Sequence, residues 1–554
     1  MQIVFTVLML LLAVAMSGVV SRLSPVRLPL PLFQIAIGAL LAAPAFGLKV
    51  RFDPELFLLL FIPPLLFVDG WRIPKRQLYQ LRGPILALAL GLVIFTVVGV
   101  GYFIHWLIPA ISLPVAFALG AVLSPTDAVA VSAIVGKNRL PTKLQHVLEG
   151  ESLMNDASGL VAFKFAIAAI LTGSFSLWQA SLSFLVIALG GLAVGGALAW
   201  LLSLGRRMVA RWTDDEPAIQ VVLLMLTPFA AYLVAEHFGV SGILSAVAAG
   251  IAMTYTESGQ GSSAMRLQSN SVWSMLEFVF NGMTFILLGL QLPSVIGLAH
   301  ADAREAGNVP VWHLFAYVVA ITVALIALRF LWVWVTYHLK SFRMLLQGSP
   351  VRRVNTWVIL TTSLSGVRGS ITMAGVLTVP LEISTGVPFP GRDLLIFLAT
   401  GVILCSLLLG SSLLPLVLPR VPTPVETLKE KEEREARLRL AQAAQTGLEQ
   451  AQVRMDRELT DDDAKAMLAD IAAMLAQIYR NRIDAESDTA EIALRANQHR
   501  NFERDLRMAA IYAQRTELYR LRDARLIDDD VFAVLLRDVD MAENWLSGTL
   551  VSKH

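Results

Sequence analysis

The run Glu149-Gly150-Glu151-Ser152-Leu153-Met154-Asn155-Asp156-Ala157-Ser158-Gly159 places acids, hydroxyls and an amide in a window, residues 146–171, that is otherwise strongly apolar. On a helix Ser152 and Asp156 share a face, as do Glu151 and Asn155, because residues four apart are neighbours. A hydroxyl stacked on a carboxylate is an oxygen-rich site for a desolvated alkali cation, and the same carboxylate can hold a proton. The competing interpretation is a polar clamp that glues two spans together. A clamp has no need of so many acids near one depth.

Two further strings carry interrupted apolar windows. In 111–135 the sequence Leu123-Ser124-Pro125-Thr126-Asp127-Ala128 sets a proline among three polar side chains. Proline has no amide hydrogen and its ring presses on the preceding turn. Carbonyls freed by such a break survive at membrane depth only inside protein or along a watery cavity, where they suit a small cation; a plain proline kink is the alternative. Asn155 is placed to brace the break by bonding to Asp127 or to freed backbone groups. In 354–380 the sequence Ser363-Leu364-Ser365-Gly366-Val367-Arg368-Gly369-Ser370 flanks an arginine with glycines. Arg368 is permanently charged and must be compensated. Glu151 is its expected partner, in a structural tie between two crossing elements.

A charge at mid-membrane costs at least about 2.5–3.5 kcal/mol on insertion scales, so each one needs a partner, a cavity or a function. Besides those named, the windows hold Asp69, Lys164, Glu236, Glu277 and Arg329. Asp69 ends the third window near the cytoplasm, where it would shape an inner funnel. Lys164 is two turns, about 12 Å, beyond Asp156 on a helix and too far to pair with it. Glu277 and Asn281 share a face, and a vestibule or a subunit contact would use them as readily as a satisfied interfacial acid would.

These residues must be positioned by an all-α membrane fold. Of 554 residues 56% are hydrophobic and 16% charged, and the mean hydropathy is +0.64, too apolar for an ordinary soluble enzyme. About thirteen hydrophobic windows follow one another, near residues 2–20, 28–47, 55–70, 83–107, 111–135, 146–171, 177–203, 217–236, 239–255, 271–294, 310–337, 354–380 and 393–418. The first lacks the basic start of a signal peptide, since Arg22 follows the apolar run. Seventeen Lys and Arg fall in one set of alternate loops, and four, Lys49, Arg51, Arg304 and Arg392, in the other. The positive-inside rule then puts the N-terminus outside and the C-terminus in the cytoplasm. Two interrupted windows seven apart fit inverted repeats with a site at their crossing.

Charge also divides the chain in two. Residues 1–420 carry 25 basic and 17 acidic side chains, whereas 421–554 carry 20 and 26. After Pro424 the pattern becomes soluble and helical, from Glu426 and Lys429 onward, with helix starts expected at Asp461–Asp463 and Asp528–Asp530. A transmembrane domain, 1–420, and a cytoplasmic helical tail, 421–554, for regulation or assembly follow. Neither has the balance of a nucleic-acid binder, and the single Cys405 permits no internal disulfide.

Taken together, Pro63-Pro64-Leu65-Leu66-Phe67, Ser124-Pro125-Thr126-Asp127, Glu151-Ser152 with Asn155-Asp156, Ser241-Gly242-Ile243, Glu277 with Asn281, Leu288-Gly289 and Gly366-Val367-Arg368-Gly369 resemble the CPA1-type cation/proton antiporters, the bacterial sodium/proton antiporters related to animal sodium/proton exchangers. The likeness covers nearly all of 1–420. It implies two crossing broken helices, a separate dimerisation domain, a homodimer, and an elevator-like movement. By the same resemblance Asp156 is the carboxylate for both cation and proton, with Asn155 beside it. Ser152 and the Thr126 backbone become further Na+ ligands, Asp127 a helix-stabilising group, and Glu151 with Arg368 an ion pair. The family's acid falls where this chain has Val68, one place before Asp69. The resemblance implies exchange of Na+, or of Li+ or K+, for H+ across the inner membrane, with no cofactor expected, and its Asn-Asp subtype implies that the exchange is electroneutral, 1:1.

Exchange needs only competition for one carboxylate. If the site reorients when loaded with Na+ or H+ but not when empty and anionic, the two flows are coupled, because a bare carboxylate is too costly to carry through the barrier. A channel, or a symporter for another solute, is the chief rival. An intramembrane enzyme is disfavoured by scattered histidines and by the absence of H-E-x-x-H, G-x-S-x-G and P-loop patterns. A receptor signalling through the tail is a further class.

Overall fold

The computed structural model describes the chain except residues 1, 26–27, 44–53, 137–139, 173–176, 213–215, 258–262, 306–310, 347–354, 381, 385–386, 390, 422–427, 487–489 and 549–554. Pro424, Glu426 and the loop cations Arg27, Lys49, Arg51, Lys137, Arg139, Arg352 and Arg353 lie outside the described residues, as do the side chains of Arg211, Arg304 and Arg343. Two compact units result, Met1–Pro422 and Thr423–His554.

Among its described residues the first unit is built of helices, apart from two short antiparallel strands, β1 (Glu382–Ser384) with β2 (Val387–Pro388). Its opening helices are α1 (Gln2–Leu23), α2 (Leu30–Leu41), α3 (Pro54–Leu60), α4 (Ile62–Arg72), α5 (Lys75–Gln80) and α6 (Arg82–Leu86). A π-helical segment, Ala87–Leu92, joins α6 to α7 (Val93–Leu107). Then come α8 (Leu113–Leu123), α9 (Ala128–Val135), α10 (Thr142–Thr172), α11 (Leu177–Trp212), α12 (Pro217–His237) and α13 (Gly242–Glu257). The unit closes with α14 (Ser263–Glu305), α15 (Val311–Leu346), α16 (Thr356–Leu364), α17 (Ser370–Leu377) and α18 (Arg392–Val417). Among the described residues eight single helices are long and apolar enough to cross a membrane, and the pair α8–α9, bent by 50°, makes a ninth if it is one span. The windows at 28–47, 55–70, 239–255 and 354–380 fall on the shorter or paired helices α2, α3–α4, α13 and α16–α17.

Packing sorts these helices into two groups. In one, α4 and α11 lie against α13, and α2 against α14; in the other, α7 and α10 lie against α8, and α15 against α18. Within the first group backbones touch directly. A Cβ on Gly70 would stand 2.7 Å from the Val247 carbonyl oxygen, and one on Gly250 would meet the Phe67 carbonyl. Small residues at both crossing points allow this approach, the usual way spans associate where lipid removes the hydrophobic drive. Both interrupted windows belong to the second group, so α8–α9 and α16–α17 meet although about 240 residues separate them in sequence.

The second unit packs α19 (Leu428–Glu458), α20 (Asp462–Ala485), α21 (Ala490–Asp523) and α22 (Asp529–Gly548) each against the next. Asp461 caps α20, its carboxylate accepting from the Asp463 amide at 3.4 Å, and Asp528 accepts from the Asp529 amide at 2.9 Å. Arg515 ties α21 to α22 through Asp540, at 2.5 Å, and Glu543; these two bonds hold its guanidinium above the usual arginine range.

Candidate functional site

Proline at position 125 sets the local structure. It cannot donate to the Ala121 carbonyl, and Ser124 substitutes, with its amide at 3.3 Å and its hydroxyl at 2.8 Å from that oxygen. The helix stops at Leu123 and restarts at Ala128. Asp127 caps the restart, its Oδ1 accepting from the amides of Val129 (2.8 Å) and Ala130 (3.0 Å). The Asp127 amide donates to the Val367 carbonyl at 2.8 Å, which binds one interruption to the other. Among the described residues no group donates a hydrogen bond to the carbonyls of Ser124, Pro125 or Thr126.

Two helices end and two begin at this crossing, and two charges answer their dipoles. Arg368 sits at the C-terminal ends: its Nε donates to the Leu123 carbonyl at 3.0 Å and its Nη1 to the Gly366 carbonyl, just past α16. The Arg368 amide is held by the Ser406 hydroxyl at 3.1 Å. Asp127 sits at the N-terminal ends, capping α9 and packing on Gly369, the residue before α17. A Cβ on Gly369 would stand 2.7 Å from the Asp127 carboxyl carbon. A cation at helix C-termini and an anion at N-termini is the arrangement the macrodipole favours.

Glu151 is therefore not the partner of Arg368, contrary to the expectation from sequence. Arg329, from α15, grips it with both terminal nitrogens, Nη2 to Oε2 at 2.7 Å and Nη1 to Oε1. The two side chains are only 2% and 1% exposed. The cause is local: Arg368 lies inside an interruption that offers it bare carbonyls, whereas Arg329 comes from an unbroken helix and has only the Thr362 carbonyl, 2.9 Å from its Nε, besides Glu151. The paired guanidinium and carboxylate planes give a bidentate, charge-assisted contact.

Along α10 the neighbours of Glu151 stitch the helix to the first interruption. The Thr126 hydroxyl donates to Glu151 Oε1 at 3.2 Å and accepts from Asn155 Nδ2 at 2.9 Å. Asn155 thus braces a hydroxyl rather than Asp127 or the backbone, and its Oδ1 is buried with no partner. Ser152 accepts from the Ala128 amide at 3.3 Å, satisfying the first donor of α9. One turn on, the Ser158 hydroxyl donates to the Ala89 carbonyl of the π-helical segment at 2.6 Å. Gly159 lets α10 approach the proline, since a Cβ there would be 2.5 Å from Pro125 Cγ.

Asp156 stands apart from this network. It is 4% exposed and, among the described residues, its carboxylate makes no hydrogen bond and no ion pair. The charged groups near enough to act on it are two acids, Asp127 and Asp69. Asp69 is half-buried on α4, within electrostatic range of Glu277, Glu149 and Arg72. Every buried cation nearby is committed elsewhere, so the Asp156 carboxylate is left for whatever enters.

Two of the other intramembrane acids have partners of their own. Glu277 pairs with Arg72, which also reaches Ser274 at 3.2 Å. Glu236 accepts from the Gly242 amide at 3.3 Å and so caps α13. Lys164 is exposed and bonds to none of the described residues. Sequence reasoning missed the role of Arg329, although an arginine alone in Leu325-Ile326-Ala327-Leu328-Arg329-Phe330-Leu331 demands a buried anion. It also missed Ser158 and Ser406, ordinary serines that nothing in the pattern singles out.

A family model described as "Sodium/hydrogen exchanger, transmembrane" matches residues 7–419. The chain belongs to the sodium/hydrogen exchanger family. It is 47% identical over 550 residues to the uncharacterized Na(+)/H(+) exchanger YjcE of Escherichia coli, covering 98% of each chain. It is 41% identical to the sodium, potassium, lithium and rubidium/H(+) antiporter of Bacillus pumilus, across 95% of this chain and 76% of that one. The fold resembles that of the sodium proton antiporter MjNhaP1 from Methanocaldococcus jannaschii, with a TM-score of 0.56 at 16% identity, covering 76% of this chain and 99% of the other. As a member of this exchanger family the chain is a transporter of monovalent cations and protons, not an enzyme, and its apolar helices make it a multi-pass membrane protein.

Proposed function

We propose that the protein exchanges Na+, or Li+ or K+, for H+ by letting cation and proton compete for Asp156, one for one. The observation that carries this reading is the isolation of that carboxylate: it is buried and without a hydrogen bond among the described residues, while the buried Arg329 and Arg368 both serve other groups. A bare carboxylate away from water is costly, so it takes either a proton or a cation. Neutral Asn155 beside it leaves a single charge to be neutralised, hence electroneutral exchange. Ser152, the carbonyl of Thr126 and the other bare carbonyls of the interruption are the oxygens that would complete a cation's shell, with Asp127 holding the interruption open and Asp69 on the approach from inside. The Bacillus pumilus relative, a sodium, potassium, lithium and rubidium/H(+) antiporter by name, agrees with this class of cargo.

The same reading includes a homodimer in the inner membrane, with the N-terminus outside and the tail cytoplasmic, serving regulation or assembly. Purified protein in liposomes tests it. Imposed gradients of Na+, Li+ and K+ should each be assayed for proton counterflow, in wild type and in Asp156→Ala. Proton movement that depends on cation in the wild type and is lost in a folded Asp156→Ala supports the reading. Cation flow without protons would favour a channel, and coupled flow with a second solute a symporter.

A further inference from the structure

We propose that the hydroxyl of Thr372, on the second broken helix, is a further oxygen ligand of the transported cation; the proposal rests on the antiport reading of the Asp156 site. Thr372 is 2% exposed and its Oγ1 has no hydrogen-bond partner. That is unusual for a helical threonine, whose hydroxyl ordinarily bonds back to a carbonyl three or four residues earlier. In α16 the hydroxyls of Thr361, Thr362 and Ser363, and that of Ser365 just beyond it, all bond back in this way, at 2.7–2.8 Å. For Thr372 the corresponding residues are Arg368 and Gly369, which belong to the interruption and not to a helix. The break that removes the back-bond leaves a buried hydroxyl unsatisfied, a feature native proteins keep rarely and for a reason.

Its place on α17 points to the reason. Residues three apart share a face, so Gly369, Thr372 and Gly375 follow one another along α17. Gly369 packs on the Asp127 carboxylate. At the other end a Cβ on Gly375 would stand 3.1 Å from Leu160 Cδ2 and 3.5 Å from Val122 Cγ1. Leu160 is one turn beyond Asp156 on the same face of α10, and Val122 is in the last turn of α8 before its interruption. Thr372 is three residues from each of these contacts, and the proposal sets its hydroxyl at the level of Asp156 and of the bare carbonyls at 124–126. A hydroxyl there offers a lone pair to a cation, and its one hydrogen suits a carbonyl of the interruption. It adds an uncharged oxygen, which changes the cation's shell without changing the charge balance of exchange.

The test uses the full chain in liposomes, with wild type, Thr372→Val, Thr372→Ala and Thr372→Ser compared for the concentration of Na+, Li+ and K+ that half-saturates proton counterflow. Removing the hydroxyl while keeping the shape should raise that concentration about tenfold for the best cation, with Thr372→Ser within about twofold of wild type. Thr372→Ala guards against a valine that does not assemble. Half-saturation unchanged in the hydroxyl-free variants, or a fall in maximal rate alone, would overturn the assignment. A wild type that moves no protons would remove the antiport reading, and the ligand with it.

Discussion

Replacing Arg329 by methionine keeps much of its volume and removes the charge that Glu151 is folded around. The carboxylate would keep one hydrogen bond, from Thr126 at 3.2 Å, and lose both guanidinium contacts; the Thr362 carbonyl would lose its donor as well. Truncating one partner of a buried ion pair costs about 3–5 kcal/mol, because the remaining charge stays out of water. Neutralising that charge in turn should recover most of the loss, so Arg329→Met with Glu151→Gln should retain a deficit of about 1 kcal/mol for the bare Thr362 carbonyl. Apparent melting of the purified protein in detergent, followed for both single variants and the double, measures the coupling. The same cycle run on Arg368→Met should show little rescue by Glu151→Gln, because Arg368 is bonded to carbonyls. Should Arg329→Met melt like wild type, or should Glu151→Gln rescue Arg368→Met instead, the pairing described here is wrong.

Other outcomes follow from the same geometry. Gly369→Ala drives a Cβ into the Asp127 carboxylate and Gly159→Ala one into Pro125; each should lower stability by about 1–3 kcal/mol, read as reduced yield and earlier melting. Asp127→Ala removes the cap of α9 and should cost about 0.5–2 kcal/mol, checked by the same melting measurement. Arg72→Ala breaks only a half-exposed pair with Glu277 and should change melting by no more than about 1 kcal/mol.

Much of this arrangement is legible in the chain because membrane burial makes polar residues conspicuous. Pro125 and the glycines around Arg368 announce the interruptions, and helical spacing alone puts Ser152 with Asp156. The partner of Glu151 is another matter. Arg329 and Arg368 are equally buried permanent cations on spans far away in sequence, and hydropathy says nothing about which helix face turns toward α10. One clue was available: an arginine inside an interruption has bare carbonyls within reach, while one inside an intact helix has none and needs an acid. Thr372 was invisible for the opposite reason. A threonine in an apolar helix normally satisfies itself, and only the structure reveals that the interruption has taken away the carbonyls it would use.

The central claim is that cation and proton exclude one another at Asp156. Measuring half-saturation by cation across a pH series, in liposomes with fixed internal composition, tests it directly. Competition by one proton predicts that the half-saturating concentration rises about tenfold for each pH unit on the acid side while the maximal rate holds. A maximal rate that falls with acid at constant half-saturation, or exchange that persists in a folded Asp156→Asn, would contradict the account.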